Sequence, residues 1–424
     1  MRAIFLIVYL VALATWLNYM VQPFSEPIRL RHSNARMIAV LGVFGHLLNE
    51  GYNIFTLKLD SLDDSDAVRA TELKDDFQGN KFEWLQSVED RKNVILLQLE
   101  SIDAIITDAL VNDEKVMPNL HRIANESISF SNAFDQTYKY TTCDGEFMAL
   151  TSLFPIEETP VYGNYNLDHV ESLPRILNRH GYYTFSIHGY NSIFWGRHIA
   201  LPSLGYDDSF FIEDLDQSDV LGWGISDKSI IKQAVDRIVD TEAPFFSHVI
   251  LLTHHTPFNY VEEGPIEEPA CHVEEYVNSA RYVDESIALL FDLLDEENKL
   301  NNTAVLIFSD HNSHMLQGLH RYYEVEFEDN IADRRIPFLF YTGEHSKEVE
   351  ILVGQIDVAP LILQYLGIEI PEAMMGGKYI EGEDALVFKN NVFLRRGFDG
   401  SLEFDQRDFD ASLITKKVIM DSLK

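Results

Sequence analysis

The chain has 424 residues, of which 33 are basic and 68 are acidic, so its formal net charge is −35 at pH 7. Binding of nucleic acid needs a basic face, and this balance therefore argues against a nucleic-acid partner. The acidity is typical of a self-repelling soluble surface, and it would also concentrate cations near a metal site. Hydrophobic residues make up 46% of the chain, which is enough for one large domain or two ordinary ones.

The chain contains two cysteines, Cys143 and Cys271, and no C-x-x-C pair. A cysteine-bound zinc site is therefore excluded. One disulfide between the two cysteines is possible, but nothing in the sequence supports it. The residues after Cys143 are Asp-Gly-Glu-Phe, not the C-x-P-x-R pattern of a cysteine that is converted to an aldehyde nucleophile. We therefore interpret Cys143 as a structural residue and not as a nucleophile.

The first element is an apolar segment over residues 3–21, preceded by Arg2. Its length is close to the roughly 20 residues that a membrane-spanning helix needs, and Arg2 favours export of the chain beyond the segment. Residues 12–14 (Ala-Leu-Ala) resemble a cleavage site, so a cleaved signal peptide and a secreted protein are the alternative. We expect residues 1–24 to be an uncleaved, single-pass membrane anchor, with the rest of the chain outside the cytoplasm.

A connector is expected over residues 25–90. Within it, residues 37–48 are apolar but too short to span a bilayer, so they form either an interfacial helix or a core helix. Residues 58–92 are rich in charge and are patterned like one or two helices.

From Lys92 onward, apolar runs of strand length alternate with helical patterns. This alternation predicts an α/β fold with a mainly parallel sheet flanked by helices. The predicted strands cover residues 94–99, 182–187, 245–252, 304–309 and 337–341. The predicted helices cover residues 118–127, 172–181, 227–239 and 275–298. We place the catalytic domain at residues 91–384, and an irregular or strand-containing cap of the same domain at residues 385–424.

Two of the predicted strands run directly into residues that bind metals. One strand ends at Glu100, and another ends at Asp310 and His311. Since parallel strands deliver their carboxyl ends to one edge of a sheet, these side chains are expected to meet there. Together they can hold a divalent cation, and the hydroxyl of Thr142 in the polar turn TTCDGEF could complete the set. A hydroxyl held beside a cation is a candidate nucleophile, which points to an enzyme. Thr141 is the alternative to Thr142 in this role, although the Thr-x-Asp-x-Glu spacing favours Thr142.

Ten motifs occur in one order between about residues 90 and 370, and together they resemble a known family. They are NVILLQLES, MPNLHRIANESISFSNAF, TTCDGEF, LPRILNRHGYYTFSIHGYN, FWGR, GWGISD, THHTPF, RYVDESI, FSDH and IDVAPLILQYLGI. The chain resembles the lipoteichoic acid synthase-like branch of the alkaline phosphatase/sulfatase superfamily. Members of this branch are membrane-anchored phosphoglycerol transferases.

The resemblance implies a role for each matching residue. It implies a metal site in which Thr142 is also the nucleophile, formed by Glu100, Thr142, Asp310 and His311. It implies one divalent cation, Mn²⁺ in first place, with Mg²⁺ or Zn²⁺ as alternatives. It also implies that the phosphoglycerol group is bound by Trp195, Arg197 and His255.

Elementary chemistry agrees with these roles. A threonine hydroxyl is a weak nucleophile at neutral pH, and a coordinated cation would lower its pKa. Thr142 is expected just before a helix over residues 147–154, whose first N–H groups would suit an anion. Arg197 offers a planar fork for phosphate oxygens, Trp195 could stack on a small polyol, and His255 could bind phosphate or transfer a proton.

Other residues near these motifs keep two interpretations. His254 is the expected bystander of its pair, but its role could be exchanged with that of His255. His188 either lines the site or packs in the core, and Trp223 either lines a pocket or belongs to a structural turn. Asp357 is expected to cap the helix after it.

The chain departs from this branch at two points. Typical relatives carry a bundle of membrane helices before the catalytic domain, whereas one credible span is found here. The residues that usually follow Asp-His are replaced here by Asn312-Ser313-His314. His314 and His320 could therefore contribute to a second metal site, although the acidic partner that it requires is not evident. The zinc-dependent phosphoethanolamine transferases of the superfamily usually carry several disulfides, so the two cysteines argue against that branch.

The expected function is transfer of a phosphoglycerol group from an anionic, phosphatidylglycerol-like lipid to a hydroxyl of an envelope polymer, glycan or glycolipid. The transfer would pass through a covalent intermediate on Thr142. A metal-dependent phosphodiesterase, phosphatase or sulfatase-like hydrolase is the first alternative, because acceptor choice depends on water exclusion. A non-catalytic envelope protein is the second.

Overall fold

The computed structural model describes residues 64–421 except for 91, 158, 243, 329–330, 389–391, 398 and 408–409. The expected anchor and the apolar segment at residues 37–48 lie outside the described residues. In the described part of the chain, no helix is both long enough and apolar enough to cross a membrane. The described residues form one compact unit, apart from Ile193–Trp195, which belong to a second unit.

The helices of the described residues are given in chain order. They are α1 (Asp64–Asp75), α2 (Ala104–Asp108), α3 (Pro118–Asn125), α4 (Thr141–Thr151), α5 (Leu173–Arg179), α6 (Arg197–Ser203), α7 (Asp227–Asp240), α8 (His272–Glu296), α9 (Leu316–Tyr322), α10 (Val358–Tyr365) and α11 (Ser412–Asp421).

The strands are given in the same order. They are β1 (Phe77–Gln78), β2 (Asn93–Leu99), β3 (Leu110–Val111), β4 (Glu114–Lys115), β5 (Ile128–Phe130), β6 (Ala133–Phe134), β7 (Tyr183–His188), β8 (Asp208–Phe210), β9 (Val220–Leu221), β10 (Gly224–Ile225), β11 (Phe245–Ile250), β12 (Thr303–Ser309), β13 (Phe338–Tyr341), β14 (Lys347–Val349), β15 (Val353–Gly354), β16 (Tyr379–Ile380), β17 (Ala385–Phe388), β18 (Val392–Arg396) and β19 (Leu402–Gln406).

The main sheet has eight strands in the order β14-β5-β13-β12-β2-β11-β7-β8. Seven strands share one direction, and β13 runs antiparallel to both of its neighbours. The prediction of an α/β fold with a mainly parallel sheet is confirmed, and the one antiparallel strand, β13, makes the sheet mixed. The apolar run at residues 337–341 predicted a strand there, but an apolar run does not encode strand direction.

The centre of the sheet explains why the apolar runs are unbroken. Every residue of β2, β11 and β12 is buried, which requires helices over both faces of these strands. In the register of the parallel pairs, Ser309 lies opposite Leu99 and Ile250 lies opposite Gln98. The carboxyl ends of the three strands therefore lie side by side, and the residues just beyond them are brought together.

Helix α8 covers one part of this core with an apolar stripe. Its buried apolar residues recur at helical spacing: Val273, Tyr276, Val277, Ala280, Val283, Ile287, Leu290, Phe291 and Leu294. The helix packs against α7 and α3. Beyond the main sheet, β17, β18 and β19 form an antiparallel sheet, and α11 packs against α1. The expected domain boundaries remain predictions.

Asp357 does not cap the helix after it, which corrects the sequence-based expectation. One carboxylate oxygen accepts from the N–H of Gly354, before the helix. The other accepts from the N–H of Gly377 and lies 3.0 Å from the ammonium group of Lys81. Lys81 is 2% exposed, and a buried charge of this kind needs a paired, hydrogen-bonded partner. That long-range demand outweighs the local capping preference.

Candidate functional site

Two adjacent strand ends deliver three ligand-type side chains to one point. Glu100 comes directly after β2, and Asp310 and His311 come directly after β12. The Nε2 atom of His311 lies 3.5 Å from Oε1 of Glu100 and 3.6 Å from Oδ2 of Asp310. One ligand atom from each residue lies within 4.8 Å of the others. The structure therefore brings together the three residues that the strand-end pattern singled out.

Thr142 joins this cluster from the first turn of α4. Its Oγ1 lies 3.2 Å from Nε2 of His311, and the residue is 8% exposed. Thr141, by contrast, is exposed and has φ +37°. Of the two adjacent threonines, Thr142 is the one that the structure places beside the cluster.

The helix that carries Thr142 begins earlier than its sequence predicts. It starts at Thr141, whereas the apolar pattern predicted a start at residue 147. The carboxylate of Asp144 accepts from the N–H groups of Tyr138 and Tyr140, each at 3.0 Å, and stabilises the polar first turn. Thr142 is therefore inside the helix, not before it.

Gly145 allows α4 to approach the end of β12. A Cβ atom at this position would lie 2.2 Å from the carbonyl oxygen of Asp310, which is well inside van der Waals contact. Because only glycine lacks this atom, the helix can approach closely enough for Thr142 to reach His311.

Burial and mutual charge shift the pKa values of the cluster. Burial, together with the charge of Glu100, raises the pKa of Asp310 to about 8. Burial alone would lower the pKa of His311, but the charges of Asp310 and Glu100 outweigh it and raise this pKa to about 10. Burial would raise the pKa of Glu100, but its hydrogen bond with His311 and the charges of His255 and His311 lower it. Added positive charge, from a proton or from a cation, is therefore favoured in this cluster.

The donor atoms fit a divalent cation. Oδ2 of Asp310 is buried and has no hydrogen-bond partner, which is costly for a carboxylate unless another ligand satisfies it. Nδ1 of His311 lies 2.8 Å from the carbonyl oxygen of Asn312, and because a carbonyl only accepts, Nδ1 carries a proton. In the neutral ring Nε2 then keeps its lone pair toward the cluster, as a metal-binding imidazole requires. Carboxylate and imidazole donors suit several divalent ions.

Buried acidic residues behind the cluster hold the loop after His311. Asp103 accepts from the side-chain amide of Asn312 at 2.7 Å and from the N–H of Ser313 at 3.1 Å. Asp135 accepts from the N–H of Asn312 at 3.1 Å and pairs with Arg334. Sequence reasoning missed both acids, because neither lies in a ligand-like pattern.

The two adjacent histidines of THHTPF have different surroundings. His255 is partly exposed, and its ring lies on that of Trp223 with centroids 4.1 Å apart. His254 is fully buried, packs edge-on against Tyr276 at 4.3 Å, and has its pKa lowered to about 3 by burial. The exposed ring of the pair therefore belongs to His255, which was the predicted substrate residue.

Arg197 is buried and paired. Its Nη2 donates to Oε2 of Glu146 at 2.9 Å, and its Nε donates to the same carboxylate. Its Nη1 is buried without a hydrogen-bond partner. Nearby in sequence, His188 bonds the carbonyl of Ile250 through Nδ1 at 3.2 Å, while its Nε2 is also buried and unpartnered. Burial and the charge of Arg197 hold the pKa of His188 well below its usual range, so its ring is neutral.

Trp195 lies in a short 3₁₀ turn, Phe194–Gly196, with φ +59°. Its ring packs edge-on against that of Phe194, with centroids 5.6 Å apart. It lies in Ile193–Trp195, which belong to the second unit, and its substrate role stays a prediction.

Within the part of the chain that the structure describes, the two other histidines do not form a second metal site. His314 stacks on Phe258 with centroids 5.5 Å apart, and Nδ1 of His320 lies 2.8 Å from the carbonyl of Glu326. Among the described residues, the one group suited to hold a metal is the Glu100, Asp310 and His311 cluster.

The mixed sheet and the cluster at its carboxyl edge define an α/β fold of the alkaline phosphatase/sulfatase type. The profile of the family described as Sulfatase matches residues 92–368, more than half of the chain, and the chain belongs to this family. Within the superfamily it is a lipoteichoic acid synthase-like member, as the motifs indicated.

Individual relatives agree with this assignment. The chain is 30% identical over 323 residues to lipoteichoic acid synthase 2 of Bacillus subtilis, covering 72% of this chain and 50% of that protein. It thus spans about half the length of this curated relative. Its fold is similar to that of the lipoteichoic acid synthase LtaP from Listeria monocytogenes, with TM-score 0.70, 20% identity, and coverage of 83% of this chain and 97% of the other. The Streptococcus pyogenes phosphoglycerol transferase GacH, solved with sn-glycerol-1-phosphate, has TM-score 0.54, 15% identity, and coverage of 84% and 90%.

Proposed function

We propose that this protein is a membrane-anchored, metal-dependent phosphoglycerol transferase that acts outside the cytoplasm. The observation that carries the proposal is the position of the Thr142 hydroxyl, 3.2 Å from Nε2 of His311 in a buried cluster of metal-type ligands. A hydroxyl at the first turn of a helix, beside two carboxylates and an imidazole, is placed where a bound metal can activate it as a nucleophile.

Glu100, Thr142, Asp310 and His311 would hold the cation, with Mn²⁺ as the first candidate and Mg²⁺ or Zn²⁺ as alternatives. The unpartnered Oδ2 of Asp310 supports this assignment, as does Nε2 of His311, which faces both carboxylates while Nδ1 bonds the carbonyl of Asn312. A divalent cation in such a site lowers the pKa of a neighbouring hydroxyl and neutralises charge on phosphoryl oxygens.

The reaction would proceed in two displacements on Thr142. In the first, its oxygen loses a proton and attacks the phosphorus of a phosphatidylglycerol-like lipid. The bond from phosphorus to the diacylglycerol oxygen breaks, that oxygen takes a proton, and diacylglycerol leaves. In the second, a hydroxyl of a polymer, glycan or glycolipid attacks phosphorus and loses its proton, and the threonine oxygen leaves and regains one. Each step breaks one ester bond and forms another.

Arg197, His255 and Trp195 would bind the phosphoglycerol group. Glu146 neutralises Arg197 on one edge of the guanidinium, but Nη1 keeps an unused donor that suits a phosphate oxygen. His255 is partly exposed, and its ring lies on that of Trp223, so a substrate oxygen can reach it. The unpartnered Nε2 of His188 favours the view that this residue lines the site.

The curated relatives support the substrate class. The relative named lipoteichoic acid synthase 2 matches 72% of this chain at 30% identity. The family match over residues 92–368 includes the proposed nucleophile and the proposed metal ligands. An anionic lipid donor, an envelope polymer or glycolipid acceptor, and a membrane would then be the partners. The single anchor at residues 1–24 would hold the catalytic domain at the surface where the donor lies.

The test is an assay of the full chain in detergent micelles with Mn²⁺ and a fluorescent phosphatidylglycerol. We expect diacylglycerol release, and glycerophosphate appearing on an added hydroxyl acceptor. Free glycerol phosphate formed at the same rate with or without acceptor would identify a hydrolase instead. Absence of both products in the presence of bound Mn²⁺ would contradict the proposed donor.

A further inference from the structure

Ser101 contacts all three members of the cluster, although no sequence pattern singled it out. Its hydroxyl donates to Oε1 of Glu100 at 2.7 Å and lies 3.4 Å from Nε2 of His311. Its backbone N–H donates to Oδ1 of Asp310 at 3.0 Å. The residue is 6% exposed, so these contacts are made within the protein rather than at its surface.

The backbone of Ser101 is strained to make these contacts. Its φ is +54°, a region that residues other than glycine rarely adopt, and such strain persists only where surrounding contacts impose it. The hydroxyl of Tyr276 lies 3.1 Å from the carbonyl oxygen of Ser101, and the N–H of Ile102 donates to Oγ of Ser309 at 2.8 Å. These bonds hold the turn that directs both the hydroxyl and the N–H of Ser101 at the cluster.

We propose that Ser101 is a positioning residue for the bound cation. Its hydroxyl orients the carboxylate of Glu100, while its N–H orients Asp310, so that both present oxygen atoms at fixed places. This inference rests on the proposed metal-dependent function and assigns the ligand geometry to a residue outside the ligand set. Residues that bond to metal ligands affect metal affinity strongly, typically by roughly 10- to 100-fold.

Two variants separate the hydroxyl from the strained backbone. Ser101→Ala removes the hydroxyl and keeps a side chain at positive φ, whereas Ser101→Gly removes the hydroxyl and relieves the strain. We expect both variants to bind Mn²⁺ roughly 10- to 100-fold more weakly than the wild type in calorimetric titrations of the full chain in detergent. We also expect Ser101→Gly to melt at a higher temperature than Ser101→Ala without regaining Mn²⁺ affinity.

Ser152 provides a matched control away from the cluster. It is a fully buried serine with φ +55° at the end of α4, and its hydroxyl donates to the carbonyl of Ile356 at 2.8 Å. Ser152→Ala and Ser152→Gly remove the same groups from the same backbone conformation. They should change the melting temperature and leave the Mn²⁺ affinity at the wild-type value.

The outcomes distinguish this inference from the proposed function. Wild-type Mn²⁺ affinity in both Ser101 variants, with a wild type that binds Mn²⁺, would overturn the positioning role alone. Recovery of affinity in Ser101→Gly would also overturn it, because the backbone and not the hydroxyl would then be responsible. A wild-type chain that binds no divalent cation would overturn the inference together with the proposed function.

Discussion

Oγ1 of Thr142 lies 3.2 Å from Nε2 of His311, although the two residues are 169 positions apart in the chain. The contact joins the first turn of α4 to the end of β12, so it depends on how closely a helix and a strand approach. Changes to the ligands around this contact, or to the groups that hold them, should therefore alter metal binding and turnover.

Removal of the cation should lower the stability of the folded protein. A ligand that binds only the folded state stabilises it, by about 2.7 kcal/mol at a concentration of 100 times the dissociation constant. We expect Mn²⁺ to raise the melting temperature of the wild type, and EDTA to reverse the shift. His311→Ala should lose the shift, since Nε2 is a cluster atom.

His314→Ala is the control for this experiment, because His314 stacks on Phe258 outside the cluster. It should keep the Mn²⁺-dependent rise in melting temperature. An equal rise in His311→Ala and in the wild type would contradict the assignment of His311 as a ligand.

Gly145→Ala should damage both stability and metal binding. Alanine normally favours a helix interior by up to about 1 kcal/mol relative to glycine, but here its Cβ would meet the carbonyl oxygen of Asp310 at 2.2 Å. Overpacking of this kind typically costs about 1–3 kcal/mol, so the clash should dominate. Chemical denaturation and Mn²⁺ titration measure the two effects.

Gly318→Ala is the comparison for Gly145→Ala. Gly318 is also helical, but the nearest atom to an added Cβ is Cγ2 of Val273 at 3.2 Å, a side-chain methyl that can shift. This variant should bind Mn²⁺ normally. A Gly145→Ala protein as stable and as metal-competent as Gly318→Ala would show that α4 does not need its close approach.

The buried pair of Arg197 and Glu146 should be sensitive to the loss of either partner. Removing one member of a buried ion pair leaves an uncompensated charge and costs about 3–5 kcal/mol. Glu146→Ala should therefore unfold at a lower denaturant concentration than the wild type. Glu285→Ala is the comparison, because Glu285 forms an exposed pair with Lys228. It should lower the free energy of unfolding by less than about 1 kcal/mol.

Arg197→Lys should not turn over the lipid substrate even where the variant folds. Lysine cannot bond Glu146 at two points and also keep an N–H group for a phosphate oxygen. The measurement is diacylglycerol release at saturating Mn²⁺. Turnover at the wild-type rate in a folded Arg197→Lys protein would argue that Arg197 has a purely structural role.

Asp227 should make the stability of the protein depend on pH. Burial raises its pKa to about 6 from the ordinary value of 3.8, despite hydrogen bonds from the N–H groups of Leu252 and Thr253. The folded state then holds this proton more tightly than the unfolded state does. The contribution of Asp227 to stability is therefore lost as pH rises from about 4 to about 6.

Asp227→Asn should remove this dependence, because the amide does not ionise and its oxygen can still accept from both N–H groups. The free energy of unfolding of the variant, relative to the wild type, should rise by on the order of 1–3 kcal/mol between pH 4 and pH 7. Denaturation curves at several pH values measure this change. If the free energy of unfolding depended on pH in the same way in both proteins, the raised pKa of Asp227 would be contradicted.

The strands and the three-residue cluster were predictable because the signals are local. A buried strand reads as an apolar run, and the residue after it marks the edge of the sheet, so the meeting of Glu100, Asp310 and His311 could be predicted from the sequence. The surrounding α/β architecture comes from the same alternation of strand and helix patterns.

Other features depend on partners distant in sequence and could not be predicted. The antiparallel direction of β13 is set by its neighbours and not by its own apolar run. The early start of α4 depends on Asp144, and the carboxylate of Asp357 serves Lys81 instead of the helix after it. The positive φ of Ser101 arises from bonds to residues on other elements, and no motif reports it.

The most direct test of Thr142 as the nucleophile is the mass of the intact full chain after incubation with Mn²⁺ and phosphatidylglycerol without an acceptor. We expect a glycerophosphate-sized gain that maps to Thr142 after digestion and persists in Thr141→Ala. In Thr142→Ala the gain should disappear along with diacylglycerol release. Full turnover in Thr142→Ala, or an adduct that maps to another residue, would refute this role.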